Sequence, residues 1–226
     1  MNTRVFIITA KTNIHVGNEN GGDFTIIDKA IQRDPLTMLP CINSSSLKGA
    51  INEFCTNGPS PMDGETRKRL FGSDKKDKGS KYQKGEALFF DAKLLLLPQQ
   101  NDITLYDYVT SKEVFEEMNE RIQLFEKNFT YPTPKTFGKN KNVTEVKNLS
   151  DRCSDDNLPI IAHNKLDNGE SVNLWYEQVL PAQTVFYTII QEPGDELMNA
   201  LNGKVVQIGA DATIGYGYCK FELLQK

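Results

Sequence analysis

Arg4 to Thr12 (RVFIITAKT) is apolar and rich in β-branched residues, which predicts a strand at the centre of a sheet. Glu86 to Leu97 (EALFFDAKLLLL) is a continuous apolar run bracketed by Gly85 and Pro98, and predicts a second strand stopped at the proline. The period changes between Ser111 and Lys127. There Val114, Phe115, Met118, Ile122 and Phe125 recur at helical spacing, as in an amphipathic helix with its stripe in the core. Ala162–Leu166 and Ser171–Val179 flank Asn168-Gly169 and read as a β-hairpin closed by a tight turn. Thr184–Gln191, Lys204–Ile208 and Tyr218–Leu224 predict three further strands. Pro193–Leu201 predicts a helix, with Glu192, Asp195 and Glu196 near its positive end.

Between the first strand and a helix expected over Leu47–Phe54 lies a long irregular stretch. It runs from His15 to Ala50 and holds Gly17, Gly21, Gly22, Pro35 and Pro40. A loop of that length inside a domain is uncommon unless it carries function. Its downstream end, Ser44-Ser45-Ser46-Leu47-Lys48-Gly49, has the composition of a helix start, where serines cap free N–H groups and anions are favoured. Lys48 in the first turn opposes the helix dipole, and a bound phosphate would remove the conflict. An ordinary capped surface helix with a solvated lysine fits the same residues. Without its insertions the chain reads strand, helix, strand, strand, helix, strand. That order predicts an α+β fold of the ferredoxin-like, RNA-recognition type. One domain over residues 1–226 is expected, with insertions near 58–84 and 128–160. Such a fold binds many things, so function must be argued from its sites.

Charge and cysteine usage narrow the picture only locally. The net charge of −4 argues against a general nucleic-acid binder, yet Glu65 to Gly85 holds eight Lys/Arg against three acids. That run fits a solvated loop or a binding patch. Cys41, Cys55, Cys153 and Cys219 are scattered, with no zinc spacing, and His15 and His163 lie far apart. With no apolar run of membrane length, a cytoplasmic chain with free thiols and no membrane partner is expected, and the sequon at Asn142-Val143-Thr144 is incidental. Gly209–Gly217 (GADATIGYG) has three glycines in nine residues between two strands. It suits either close approach of backbone N–H groups to phosphates or a tight packed turn.

Six segments in order strengthen these readings: His15-Val16-Gly17, Ile27–Asp34 (IDKAIQRD), Ser44–Ala50, Leu70-Phe71-Gly72, Leu174–Pro181 (LWYEQVLP) and Ile208–Gly217. Together, over nearly the whole chain, they resemble the RAMP superfamily of CRISPR proteins. More narrowly they resemble the repeated backbone subunit, the fourth of the set, of type III-B (Cmr) RNA-targeting complexes. The Asp-x-x-Ile-Gln-Arg run and the Leu-Trp-Tyr-Glu segment select that subunit over its type III-A relative. Two departures stand out: shorter middle insertions, and Lys29-Ala30 where the family favours an apolar residue and proline.

The resemblance implies subunits stacked head to tail along a guide CRISPR RNA, contacting other Cmr subunits. It implies an RNA-recognition palm and a β-hairpin thumb near 162–180 that parts the guide–target duplex. It also implies cleavage of single-stranded target RNA at regular intervals with a divalent metal ion, Mg²⁺ or Mn²⁺. The family's catalytic aspartate falls on Asp28, with Asp23 and Asp34 as possible helpers. His15, Arg33, Ser45, Ser46, Lys48, Gly209, Gly215 and Gly217 are the expected RNA contacts, with His15 alternatively a general acid or an organiser of its loop. A non-catalytic scaffold of the same complex, and a stand-alone endonuclease processing precursor CRISPR RNA, are the competing functions.

Overall fold

A computed structural model of the chain describes residues 1–17, 27–73, 83–127, 129, 133–138 and 140–224. Strand β1 (Asn2–Ala10) leads into the long loop, which ends at β2 (Cys41–Ile42) and helix α1 (Ser44–Asn57). Helix α2 (Gly64–Phe71), β3 (Leu88–Phe89), β4 (Ala92–Asn101), β5 (Leu105–Thr110) and α3 (Lys112–Gln123) follow. The middle region forms α4 (Pro134–Phe137), β6 (Val143–Glu145) and α5 (Leu149–Arg152). The chain closes with the hairpin β7 (Ile160–Asp167) and β8 (Glu170–Gln178), then β9 (Val185–Glu192), α6 (Glu196–Leu201), β10 (Val205–Gln207) and β11 (Tyr218–Leu223).

The fold is mixed α/β around one large sheet, ordered β10-β11-β1-β9-β4-β5-β6. β1 is central as expected, antiparallel to β11 on one side and to β9 on the other. Its consecutive residues Val5, Phe6, Ile7 and Ile8 are all buried, as are Phe186, Tyr187, Ile189 and Ile190 of β9. Successive strand residues point to opposite faces, so both faces of the central sheet are covered. Helix α3 contributes by laying Arg121 over the Tyr187 ring, 5.8 Å from its centroid. These central strands therefore offer no open platform for nucleic acid, and any such surface lies at the loops and strand ends.

Several sequence expectations need correction. β4 runs through Pro98 to Asn101 and pairs with β5, which the sequence reading missed. Its pairing with β9 ends at Leu96, so Pro98 sits where only one side of the strand is bonded. The basic segment begins as α2, capped by Asp63, whose carboxylate accepts from the Glu65 and Thr66 N–H groups. Leu70 and Phe71 at its end are buried, as the apolar island there suggested. Most of the lysines after Ser73 lie outside the described residues. α3 ends at Gln123, so Phe125 lies beyond the helix. The hairpin has the expected turn, with positive φ at Asn168 and Gly169. All four cysteines are buried free thiols.

The loop after β1 is tied down by Asp34, which is buried and not a solvated loop residue. Its carboxylate accepts from the N–H groups of Leu36 and Thr37 and pairs with Lys93 of β4. Burial pushes the Asp34 carboxyl up, but Lys93 and those N–H groups outweigh burial and hold its pKa at about 2, below the ordinary 3.8. A depressed carboxylate stabilises the fold above its ordinary value, and that stabilisation is lost as pH falls through the lower one. The difference corresponds to about 2 kcal/mol. Asp34→Asn is expected to lower stability by about that amount at neutral pH. It is also expected to flatten the pH dependence between 3.8 and about 2, read by urea unfolding at a series of pH values.

Candidate nucleic-acid interface

The hairpin β7–β8 stands apart from the main sheet, and most of its residues are exposed. Its root is fastened to the loop after β1 by main-chain bonds. The Asp28 and Lys29 N–H groups both donate to the Tyr176 carbonyl, at 2.9 and 3.2 Å, and the Gln178 N–H donates to the Lys29 carbonyl at 3.0 Å. Asp28 is exposed, and its Oδ2 accepts the Tyr176 N–H at 2.7 Å. The sequence places Asp28 in a long irregular loop. The structure instead fixes both its backbone and its carboxylate against β8.

Beside Asp28, the Lys29 ammonium donates to Glu177 Oε2 at 3.0 Å and sits 5.4 Å from the Trp175 ring centroid. Glu177 is fully buried. Trp175 stacks on His163 across the hairpin, with centroids 5.4 Å apart and planes inclined by 13°. Tyr216, from the glycine-rich loop, meets the His163 ring edge-on at 6.4 Å. His15 is only 2% exposed, so it stands behind this surface and not on it. Its Nδ1 lies 2.7 Å from the Gln178 carbonyl, which only accepts, so Nδ1 carries the hydrogen. This bond ties the loop after β1 to the foot of β8.

The Ile31-Gln32-Arg33 run is likewise a set of fastenings. Ile31 is buried. Gln32 donates to the Gly17 carbonyl and to Ser46 Oγ, and accepts the Asn43 N–H, clasping the loop to the start of α1. Arg33 donates to Asp155 and to the Met38 carbonyl. Serine capping of α1 does not occur: Asn43 precedes the helix without a side-chain cap, and the Ser44 N–H donates to Asp91 Oδ1 at 2.7 Å. A carboxylate of the chain itself thus meets the positive helix end. Lys48 lies over Phe89, 5.9 Å from its centroid, and with Ser44, Ser45 and Lys84 lines a groove of about 530 Å³.

The three glycines of the last loop divide by environment. A Cβ on Gly209 would lie 2.1 Å from the His15 carbonyl oxygen, and one on Gly217 2.0 Å from that of Ile208, both at positive φ. Those two are packed-turn glycines. Gly215 also has positive φ, but a Cβ there meets nothing within 4 Å. The space beside its α-carbon is open, while its N–H donates to the Ala212 carbonyl at 3.1 Å.

Residues 7–220 match the family described as the RAMP superfamily. The chain belongs to this superfamily. It is 24% identical to the CRISPR system Cmr endoribonuclease Cmr4 of Pyrococcus furiosus, over 94% of this chain and 92% of that protein. It is 32% identical to the CRISPR system Cms endoribonuclease Csm3 of Streptococcus thermophilus, over 51% of this chain and 54% of that one. Its fold is similar to a chain of the type III-B Cmr-beta complex bound to cognate target RNA, with TM-score 0.76, 20% identity and coverage of 99% and 97%. It is also similar to oligomeric Cmr4 from Pyrococcus furiosus, with TM-score 0.72, 19% identity and full coverage of both chains.

In this RAMP chain the structure brings Asp28, Trp175, His163 and Tyr216 to one junction of loop, hairpin and glycine turn. Ser45, Lys48 and the groove form a second surface at the start of α1. Asp23 lies outside the described residues. Among those described, no cluster of three or more His, Cys, Asp or Glu is arranged to hold a metal ion. A divalent ion would therefore take its other ligands from water and phosphate.

The His163–Trp175 stack escaped the sequence reading for a definite reason. Counting back from the two-residue turn puts Leu174 opposite His163, whereas a register shift between Lys165 and Leu166 puts Trp175 there. Asp91 and Asp155 carried no sequence signal, because their partners lie far along the chain.

The glycine environments give a ranked expectation. Gly215→Ala should cost about 1–2 kcal/mol, the penalty of a left-handed residue. Gly209→Ala and Gly217→Ala should each cost clearly more, because a carbonyl must also move. Chemical denaturation of the three variants measures the order; equal losses would show that contact with the neighbouring carbonyls is unimportant.

Proposed function

We propose that the chain is a backbone subunit of a type III-B CRISPR effector that grips guide RNA and cleaves the paired target RNA. The observation that carries this reading is Asp28: an exposed carboxylate held by the Tyr176 N–H at the hairpin root. It sits on a chain whose relatives are named Cmr and Cms endoribonucleases. The antiparallel path β11-β1-β9-β4, with α1 after β1 and α6 before β11, is read as the ferredoxin-like palm, and β7–β8 as the thumb. Guide phosphates are assigned to Lys48, Ser45 and the loop surface at Gly215. The other partners are target RNA, further copies of the chain head to tail, and other Cmr subunits, in the cytoplasm. No described helix is long and apolar enough to cross a membrane.

The chemistry asks little of the protein beyond geometry. RNA carries its own nucleophile, the 2′-OH. With the backbone splayed, the 2′-oxygen attacks phosphorus, the bond to the 5′-oxygen breaks, and a cyclic phosphate results with a 5′-hydroxyl that takes its proton from water. Asp28 accepts the 2′ proton, and alignment of the three atoms supplies much of the acceleration. A Mg²⁺ or Mn²⁺ ion held by Asp28 and phosphate oxygens would stabilise charge on the phosphoryl group when bound.

Asp28→Asn keeps an oxygen for the Tyr176 N–H and removes the charge. In the assembled complex, cleavage is expected to fall by roughly 10²–10⁴-fold. Target affinity and folding stability should hardly change. Target cutting at the wild-type rate by this variant overturns the assignment. A wild-type complex that binds target and leaves it intact identifies the scaffold alternative, and cutting of precursor RNA by the isolated chain identifies the processing one.

A further inference from the structure

We infer that Arg33 positions Asp28 through Asp155 and Gln178 and does not grip a guide phosphate. The inference rests on the function proposed above. Arg33 has the charge expected of a phosphate contact, yet only 15% of its side chain is exposed. Its Nη2 donates to Asp155 Oδ1 at 2.8 Å and its Nη1 to the Met38 carbonyl at 3.0 Å. A phosphate would have to displace a carboxylate already paired to the guanidinium.

The other end of the contact reaches the active surface. Asp155 Oδ1 also accepts from Gln178 Nε2 at 3.0 Å. Gln178 is fully buried at the foot of β8. Its Oε1 accepts the Ile31 N–H at 3.4 Å, and its own N–H donates to the Lys29 carbonyl at 3.0 Å. Residues 29 to 33, Asp155 and Gln178 thus form a closed ring of bonds. Asp28 is the next residue on the loop side, and Tyr176, which holds its carboxylate, is two residues from Gln178. Removing the shared acceptor leaves the buried Gln178 amide unsatisfied, and the loop and hairpin lose their fixed relation. A misplacement of about 1 Å can cost on the order of 10² in rate.

The test uses assembled complexes carrying Asp28→Asn, Arg33→Ala, Asp155→Ala, Asp155→Asn or the Arg33→Ala/Asp155→Ala pair. Cleavage at saturating target, guide affinity across a salt series and thermal unfolding are measured on each. Arg33→Ala and Asp155→Ala are each expected to slow cleavage about tenfold or more. Guide affinity and its salt slope should stay at wild-type values, and the pair should be no worse than the slower single variant. Asp155→Asn keeps the acceptor for Gln178 and should recover most of the rate; because Asp155 is exposed, this variant also tests the inference if the alanine variants unfold. A weaker guide affinity with a salt slope reduced by about one charge in Arg33→Ala alone would identify a phosphate contact and overturn the inference. Wild-type cleavage by Arg33→Ala and Asp155→Ala, with Asp28→Asn inactive, sinks the inference and leaves the proposed function standing. Wild-type cleavage by Asp28→Asn sinks the function itself.

Discussion

The arrangement depends on one set of main-chain bonds, those joining the loop after β1 to the strand that rises into the hairpin. Ile14 pairs with Leu180, and Lys29 with Glu177. Backbone pairing of this kind fixes register, because a slip by one residue would turn every side chain to the other face. Asp28 is therefore aimed by the same contacts that plant the hairpin. The glycine turn joins them from behind: Ala210 donates to the His15 carbonyl, and Gly217 to that of Asn13. Three segments distant in sequence thus share one frame, and the frame is backbone.

Glu177 adds an electrostatic condition. A fully buried carboxylate is costly unless paired, and removing its partner costs more than the pair contributes. Lys29 supplies that partner while remaining 45% exposed itself. The charge at position 29 thus answers the buried carboxylate of Glu177. The same ammonium lies 5.4 Å from the centroid of the Trp175 ring.

Local pattern carried much of the fold. β1, α1, α3, the hairpin turn, β9 and β11 announce themselves through periodicity or turn residues. What escaped was set by distant partners. β5 is a strand because β4 continues past Pro98, which is possible only where β9 has already ended. At the start of α1 the Ser44 N–H is already taken by Asp91, a partner 47 residues away. Arg33 carries the charge of an RNA contact, and its bond to Asp155, 122 residues away, shows only in the fold. Asp28 was legible through family resemblance, while its anchoring to Tyr176 required the pairing of residues 148 positions apart. The sequence shows the chemistry of a side chain, and the fold decides whether that chemistry is already spent.

The exposure of the hairpin beyond its root has a consequence for how the molecule comes apart. The core is built from the main sheet and its helices, and β7 adds no residue to it. Regions with little buried apolar contact open at a fraction of the free energy of global unfolding. The outer part of the hairpin is accordingly expected to open before the main sheet does, while its root stays held by the bonds to Asp28 and Lys29. Disturbance at the tip of the hairpin therefore need not reach the body that carries it.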